Sequence, residues 1–409
     1  MKEMINLEEA NQILGEKSNY LEQEYVNLKD AHKRILSKDI ISTINQPPFD
    51  RSPLDGYALK SEDTKCASKE NGIALEIIEE VCAGSYPTKD LKNNTATRIM
   101  TGAPIPKGAD CVIRQEDTYE KDGKVYIHKE LNKFQNYCFE GEDLKKGEVV
   151  IKKNTEINFG EVGVIASLGI KEVPVYKKPK IAILSTGDEL LHIGEKLTPG
   201  KIYNSNIYTI SARLKELNTE PVILGISGDD IEKTAKNILD TIDEVDLIIT
   251  TGGVSVGKKD IIKDVMKKIN ADILFWKVDL KPGTPVLCSC LKDKLIISLS
   301  GNPAAATITF ELLVRPLLNK MVNKKDSKLK RVIAVFDDTY LKKSNRRRFL
   351  RGELKYSQNG PIVKLTSSKQ SSGVLSSIIK CNCLIEVAEG SDGIKKGDKV
   401  EIIPLKMEG

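Results

Sequence analysis

The sequence predicts a multidomain α/β protein with a mostly parallel central sheet, a helical N-terminal segment, a small β-rich module and a terminal β-barrel or sandwich. Three observations predict it. From about residue 178 to 323, near-continuous apolar strands alternate with amphipathic helical text, the pattern of a parallel sheet covered on both faces. Before and after that stretch come short alternating segments punctuated by Gly, Pro, Asn and Asp, which read as β-structure. The length, 409 residues, suits two to four domains and an ample core.

The elements follow in order. The first forty or so residues are expected to be helical, because LEEANQIL and the run from Tyr25 to Leu36 place apolar residues at helical spacing. Gln46-Pro47-Pro48-Phe49 ends that pattern, since two prolines do not sit inside a helix. GYALK, IALEIIEEV, ATRIM, CVIRQE and KVYIHKE are then expected as strands, and INFGEVGVIASLGI as a compact helix ending at Gly169. Pro174 to Pro179 reads as a linker. In the α/β stretch the strands are IAILS, PVILGI, DLIITT, the text near ILFW and VLCSC, and LIISLS. Pro316 is expected to bend or break the last helix, AAATITFELLVRPLLNKM. RVIAVFDD, FLRGELKY, PIVKLTS, NCLIEVAE and KVEIIPL make up the terminal β module.

Bulk properties exclude several classes. Lys plus Arg number 63 and Asp plus Glu 58, a net charge of +5, too mild to imply nucleic acid. The N-terminus has early acidic residues and no apolar signal core, and no apolar run reaches membrane-span length, so the expected compartment is the cytoplasm. Two C-x-C pairs occur, Cys288/Cys290 and Cys381/Cys383. In a strand each pair shares one face and reads as two small core residues; the alternative is a four-thiolate zinc site. His32, His128 and His192 have no metal-ligand spacing, and no Ser-His-Asp or Cys-His set is evident.

Three strand ends share one design. IAILSTGDEL, LIITTGGVSVG and LIISLSGNPA each pass from an apolar strand into a Gly-containing polar loop. In a parallel sheet the carboxyl ends of the strands lie on one edge, where open α/β sheets bind ligands. Ser185, Thr186, Gly187, Gly252, Gly253, Ser255, Gly257, Ser300, Gly301 and Asn302 therefore form a candidate anion pocket, with backbone N–H groups and helix N-termini as donors. One such loop alone would be an ordinary βα turn; three on one edge point to a site.

Carboxylates cluster at the same edge: Asp188 and Glu189, Asp229 and Asp230, and Asp260. Carboxylates beside phosphate-binding loops suit a hard cation such as Mg2+, and Glu189, Asp229 and Asp260 are the candidate ligands. Asp230, just before IEKTAKN, reads better as a helix N-cap, and Asp260 admits that reading too. KVDLKPGTP adds Lys277 and Lys281, fixed positive charges suited to an oxyanion or a phosphate; taken alone, they would read as a solvated lysine pair.

QPPFDRSPLDGYAL (46–59), TGAPIPKGADCVIRQED (101–117), GED (141–143), LSTGDEL (184–190), NSN (204–206), TTGGVSVGKKD (250–260), KPGTP (281–285) and SLSGNPAA (298–305) follow one another. In that order and combination the chain resembles the molybdopterin molybdenumtransferases, the molybdenum-inserting enzymes of the molybdenum cofactor pathway, over nearly its whole length. The resemblance implies a molybdopterin-binding three-layer α/β domain at 178–323. It also implies a discontinuous helical–β domain at 1–45 and 141–177, a β-rich second domain at 46–140 and a C-terminal β-barrel at 324–409.

By the same resemblance, Asp55, Thr101 and Asp143 are functional positions outside the α/β unit. Glu189, Asp229, Asp260, Lys277, Lys281, Pro282 and Pro285 are functional positions inside it, and Arg351 and Ser372 lie on the last domain. QSSG, around Ser372, lacks the histidine-containing text more usual there, and Lys258-Lys259 replace an acidic or small pair. The implied reaction takes adenylylated molybdopterin and molybdate, with Mg2+, and releases AMP. The implied assembly is a homodimer in which one subunit's second domain faces the other's α/β and C-terminal domains. Transient contact with the molybdopterin adenylyltransferase is also implied.

Rival functions share the architecture: a cofactor scaffold without turnover, the preceding adenylyl transfer, or tungstate insertion. The basic run Lys342-Lys343-Ser344-Asn345-Arg346-Arg347-Arg348 has no interleaved aromatics and reads as a solvated loop beside an anionic ligand site rather than a nucleic-acid surface.

Overall fold

The computed structural model describes residues 2–255, 260–325 and 327–405. Its central sheet has seven strands in the order Lys2–Ile5, Asp272–Val278, Leu287–Leu291, Lys294–Leu299, Leu247–Thr251, Lys180–Ser185, Glu220–Ile226. Of these strands, only Leu287–Leu291 runs against the rest. The expectation of a mostly parallel sheet holds, but the α/β alternation is interrupted there. The connection 279–286 is too short for a parallel crossover, which needs about a dozen residues, so the chain turns back as a hairpin. That turn carries KPGTP onto the carboxyl edge of the sheet.

Side-chain alternation places residues of one parity on each face. Ile181, Ile183, Leu247, Ile249, Leu295 and Ile297 join one core with helices Asn206–Glu216 and Pro303–Thr309. Ala182, Leu184, Ile248 and Ile296 join another with helices Ile231–Thr241 and Ile262–Lys268. Each fully buried Ile or Leu contributes roughly 1.5–3 kcal/mol. Asp230 caps Ile231–Thr241, accepting the Lys233 N–H at 3.0 Å, as its position in the sequence suggests.

The N-terminal segment meets its helical expectation at LEEANQIL and departs from it elsewhere. Lys2–Ile5 is a strand added in parallel to Asp272–Val278, and helix Leu7–Lys17 buries Leu7, Ala10 and Leu14 in the α/β core. The run from Tyr25 to Leu36 is not a helix. Gln23–Asn27 is a strand antiparallel to Glu172–Tyr176, followed by the single 3-10 turn Leu28–Asp30. Pairing Val26 with Val173 buries the apolar residues of both segments in one small core, which outweighs local helical spacing. Pro174 to Tyr176 is therefore strand rather than linker. Helix Phe159–Ser167 forms as expected; Glu161 accepts the Asn158 N–H at 2.9 Å, and Gly169 follows in the left-handed region.

The β-rich module is a six-stranded sheet, Cys111–Arg114, Gly56–Leu59, Thr95–Ile99, Ile73–Val81, Lys124–Ile127, Thr118–Lys121. The C-terminal strands close a barrel in the order Val332–Phe336, Gly360–Leu365, Arg348–Ser357, Cys383–Val387, Lys399–Pro404. Around Pro316 the helix does not stop. A π-helical segment, Phe310–Val314, joins Pro303–Thr309 to Arg315–Met321, and its wider turn absorbs the missing proline N–H. Cys288, Cys290 and Cys381 belong to or pack on the main core, and Cys383 lies in the barrel core. No described helix is long and apolar enough to cross a membrane.

Candidate active site

The carboxyl edge of the central sheet opens into a cleft of about 740 Å³. Its floor is the three glycine-containing loops. The Thr186 N–H donates to the Thr251 carbonyl at 2.9 Å, and the Gly252 N–H to the Leu299 carbonyl at 3.1 Å, so each loop hangs from its neighbour. Gly252 has φ +92°, and a Cβ there would lie 2.3 Å from the Thr186 carbonyl oxygen; only glycine lets the strand ends approach this closely. Ser185 sits beneath the floor, fully buried, its hydroxyl 2.9 Å from that of Thr251. The Asn206 amide, from NSN, donates to the Gly301 carbonyl at 2.9 Å and steadies the third loop.

Thr186, Gly187, Gly252, Gly253, Ser255, Ser300, Gly301 and Asn302 line the cleft, as expected, and so do Glu189, Asp229 and Asp260. Gly257 lies outside the described residues. The Asp229 N–H donates to the Asp188 carboxylate at 3.0 Å, which fixes the SGDD turn against STGDEL. Among the described residues no three His, Cys, Asp or Glu side chains gather as a closed metal cage. An open arrangement of carboxylates still fits Mg2+, which takes one or two protein carboxylates and completes its shell with water and substrate phosphate.

The opposite wall comes from KPGTP and the barrel. Lys281, Pro282, Pro285 and Ser372 line it, as the sequence suggested. Gly283, Thr284, Gln370, Ser371, Lys342 and Arg348 line it too, and had not been singled out as site residues. For Lys342 and Arg348 the signal is the basic run itself, which the sequence places beside an anionic site. Its members divide the work. Arg346 pairs with Asp279 at 3.2 Å, Arg347 pairs with Glu8 at 2.7 Å, and Arg348 reaches the cleft.

Arg351 is not among the lining residues. It is fully buried, and burial pulls its guanidinium below the usual arginine range. It donates to the Ser377 hydroxyl at 2.9 Å and to the carbonyls of Gln370 and Ser371 at 3.1 Å each. Arg351 thus shapes the loop that presents Gln370, Ser371 and Ser372. The Ser372 carbonyl in turn accepts the Ala304 N–H, at 3.0 Å, at the start of helix Pro303–Thr309.

Lys277 also lies outside the lining. Its backbone is left-handed, φ +67°, and its ammonium group sits 3.2 Å from the Glu3 carboxylate and 3.7 Å from the Trp276 ring centroid. Asp55, Thr101 and Asp143 are absent from this chain's cleft lining as well. Asp55 accepts the Thr101 N–H at 2.6 Å and the Thr101 hydroxyl at 2.7 Å; the backbone bond first, then the hydroxyl, hold its carboxyl below the usual aspartate range. Asp143 is exposed, its N–H donating to the Gln46 carbonyl at 3.0 Å.

Three family models match in succession: the MoeA N-terminal region (domains I and II) over 5–169, the probable molybdopterin binding domain over 182–320, and the MoeA C-terminal region (domain IV) over 334–405. The chain is similar to a molybdopterin molybdenumtransferase of Staphylococcus epidermidis, 37% identical over 92% of this chain and 90% of the relative. It is also similar to one of Staphylococcus aureus, 36% identical over 98% and 95%. Among solved structures it resembles a molybdopterin biosynthesis MoeA protein of Pyrococcus horikoshii OT3, with TM-score 0.84 and 33% identity, covering 98% of this chain and 100% of that one.

Proposed function

The chain belongs to the molybdopterin molybdenumtransferase family, a transferase family of molybdenum cofactor biosynthesis, and from that premise we propose that it inserts molybdate into adenylylated molybdopterin with release of AMP. The observation that carries this reading is the make-up of the cleft at the carboxyl edge of the sheet. Glycine-loop N–H donors and the carboxylates Glu189, Asp229 and Asp260 face Lys281, Lys342 and Arg348 across it. A phosphoanhydride needs the first set, and a small oxyanion needs the last.

The loops at Gly187, Gly253 and Gly301 bind and orient the anhydride through fixed backbone dipoles, at no reorganisation cost during reaction, with Gly252 holding the strand ends together beneath them. Lys281 and Arg348 hold molybdate or neutralise charge on the phosphates. One or two of the carboxylates Glu189, Asp229 and Asp260 would hold Mg2+, which when bound supplies Lewis-acid polarisation of the anhydride. The dithiolene sulfurs of the substrate receive molybdenum, so no covalent protein nucleophile is required.

Asp55 and Thr101 sit on the second domain, away from the cleft of their own chain. We therefore propose a homodimer in which each cleft is completed by the second domain of the other subunit. The decisive measurement is AMP release from adenylylated molybdopterin, with molybdate and tungstate compared. No molybdate-dependent AMP release from a folded protein would sink the reading, and release with tungstate alone would reassign its metal.

A further inference from the structure

Between the α/β core and the barrel lies an ionic cluster that takes no part in the cleft. Glu311, on the π-helical segment Phe310–Val314, is 1% exposed. Its carboxylate pairs with Arg213 at 2.6 Å and with Arg315 at 3.0 Å. Each arginine then reaches the end of the last barrel strand: Arg213 donates to the Leu405 carbonyl at 2.7 Å and Arg315 to the Pro404 carbonyl at 2.9 Å. Arg213 stands on helix Asn206–Glu216, whose Asn206 holds the Gly301 loop of the cleft.

The geometry points to Glu311 as a positioning residue: with Arg213 and Arg315 it clamps the barrel at one angle to the α/β domain and thereby sets the separation of the two cleft walls. Next to this cluster the seam is apolar; elsewhere it carries the backbone bonds Lys281–Arg347, Phe349–Lys281 and Ala304–Ser372 and the ion pair Arg346–Asp279. Phe349, Leu384 and Ile403 of the barrel share a core with Leu312 and Leu313. Apolar contact is non-directional and tolerates sliding, whereas the two-pronged bond of Arg213 to the Glu311 carboxylate and the guanidinium bonds to the Leu405 and Pro404 carbonyls are directional and fix an orientation. Buried ion pairs are often no more stabilising than apolar residues of the same volume, so orientation, rather than stability, is what this cluster supplies. The clamp matters to the site because the cations Lys342 and Arg348 ride on the barrel, while the glycine loops belong to the sheet. The seam itself is independent of the reaction; its effect on turnover rests on the function proposed above.

Two variants test it. Glu311→Gln keeps the volume and removes the charge. The triple variant Arg213→Met/Glu311→Leu/Arg315→Met leaves no unpaired buried charge, so it carries the test if the single variant does not fold. Hydrogen exchange is read at the Lys281 and Phe349 amides, which bond across the seam to Arg347 and Lys281, each at 2.8 Å. The expected result is exchange at least about tenfold faster at these amides in a folded variant, which is a fall of 1.36 kcal/mol or more in the free energy of opening the seam. The molybdate KM should rise severalfold while pterin binding, which depends on the sheet loops, stays near wild type. Wild-type exchange at the seam of a folded variant overturns the clamp. A loosened seam with an unchanged molybdate KM overturns its positioning role. If the wild-type chain releases no AMP with molybdate, the proposed reaction fails, and the exchange comparison still decides the clamp.

Discussion

Lys281 and Arg347 are joined across the domain boundary by a backbone hydrogen bond of 2.8 Å from the Lys281 N–H to the Arg347 carbonyl, and the Lys281 carbonyl accepts the Phe349 N–H at 2.8 Å in return. This short two-bond ladder brings a lysine from the hairpin turn 279–286 of the central sheet beside Arg348 from the barrel. Both line the same wall of the cleft. The positive charges on this side of the cleft are thus contributed jointly by the α/β part and the barrel.

Lys281→Ala should weaken the use of molybdate far more than the binding of the pterin. The pterin has many backbone donors on the glycine loops, and a small oxyanion depends on few charges. Losing one charge-assisted bond costs roughly 1.5–3 kcal/mol, on the order of ten- to hundredfold in apparent affinity. The dependence of AMP release on molybdate concentration measures this, and an unchanged dependence removes Lys281 from the oxyanion site.

Asp260→Asn should keep the fold and lose most of the activity, because it removes charge from the cleft without changing volume. Chelation of Mg2+ should have the same effect on the wild type, with recovery on adding Mg2+ and not on adding Zn2+. Were Asp260 only a helix cap, turnover would persist and stability would drop by about 1 kcal/mol. Activity and thermal melting measured together separate the two roles.

Arg351→Lys should destabilise the barrel and release the 369–372 loop. Lysine cannot reproduce the fork that serves Ser377, Gln370 and Ser371 at once, and each buried carbonyl left without a donor costs roughly 1–3 kcal/mol. Amide exchange in that loop and the melting temperature should both move. If neither does, the loop is held by something other than Arg351.

Thr101→Val should bring the Asp55 carboxyl up by removing the hydroxyl bond that helps depress it; the backbone bond remains. The sign follows from the charged form. In the wild type the bonds favour the carboxylate, so their contribution is complete above the ordinary aspartate range and lost as pH falls through the depressed folded value. NMR titration of Asp55 reads the shift directly, and an unmoved value would show the hydroxyl to be irrelevant.

Mixing Asp55→Asn with Asp260→Asn subunits should restore activity if clefts are shared between chains. Each mixed dimer would then hold one cleft with both defects and one intact, giving at most about half the wild-type activity per mixed dimer. Confirmed subunit exchange without recovered activity would mean that each site belongs to a single chain.

What the sequence by itself determined is whatever depends on neighbours along the chain. The passage from an apolar strand to a glycine loop is local, so IAILSTGDEL, LIITTGGVSVG and LIISLSGNPA already placed Thr186, Gly252 and Gly301 on one edge. The cap at Asp230 and the helix ending before Gly169 were legible for the same reason. Tertiary structure decided the rest. Tyr25 to Leu36 carries helical spacing, yet pairing with Glu172–Tyr176 buries more apolar surface and wins. Arg351 and Arg348 stand three residues apart on one strand and so face opposite sides, yet only the packing of the 369–377 loop buries Arg351, while Arg348 lines the cleft. Lys277 and Lys281 bracket one turn in the sequence, yet Lys277 pairs with Glu3 on a strand contributed from the far end of the chain. Such outcomes depend on contacts between residues from 19 to 274 positions apart in the chain, whose energies no local pattern encodes.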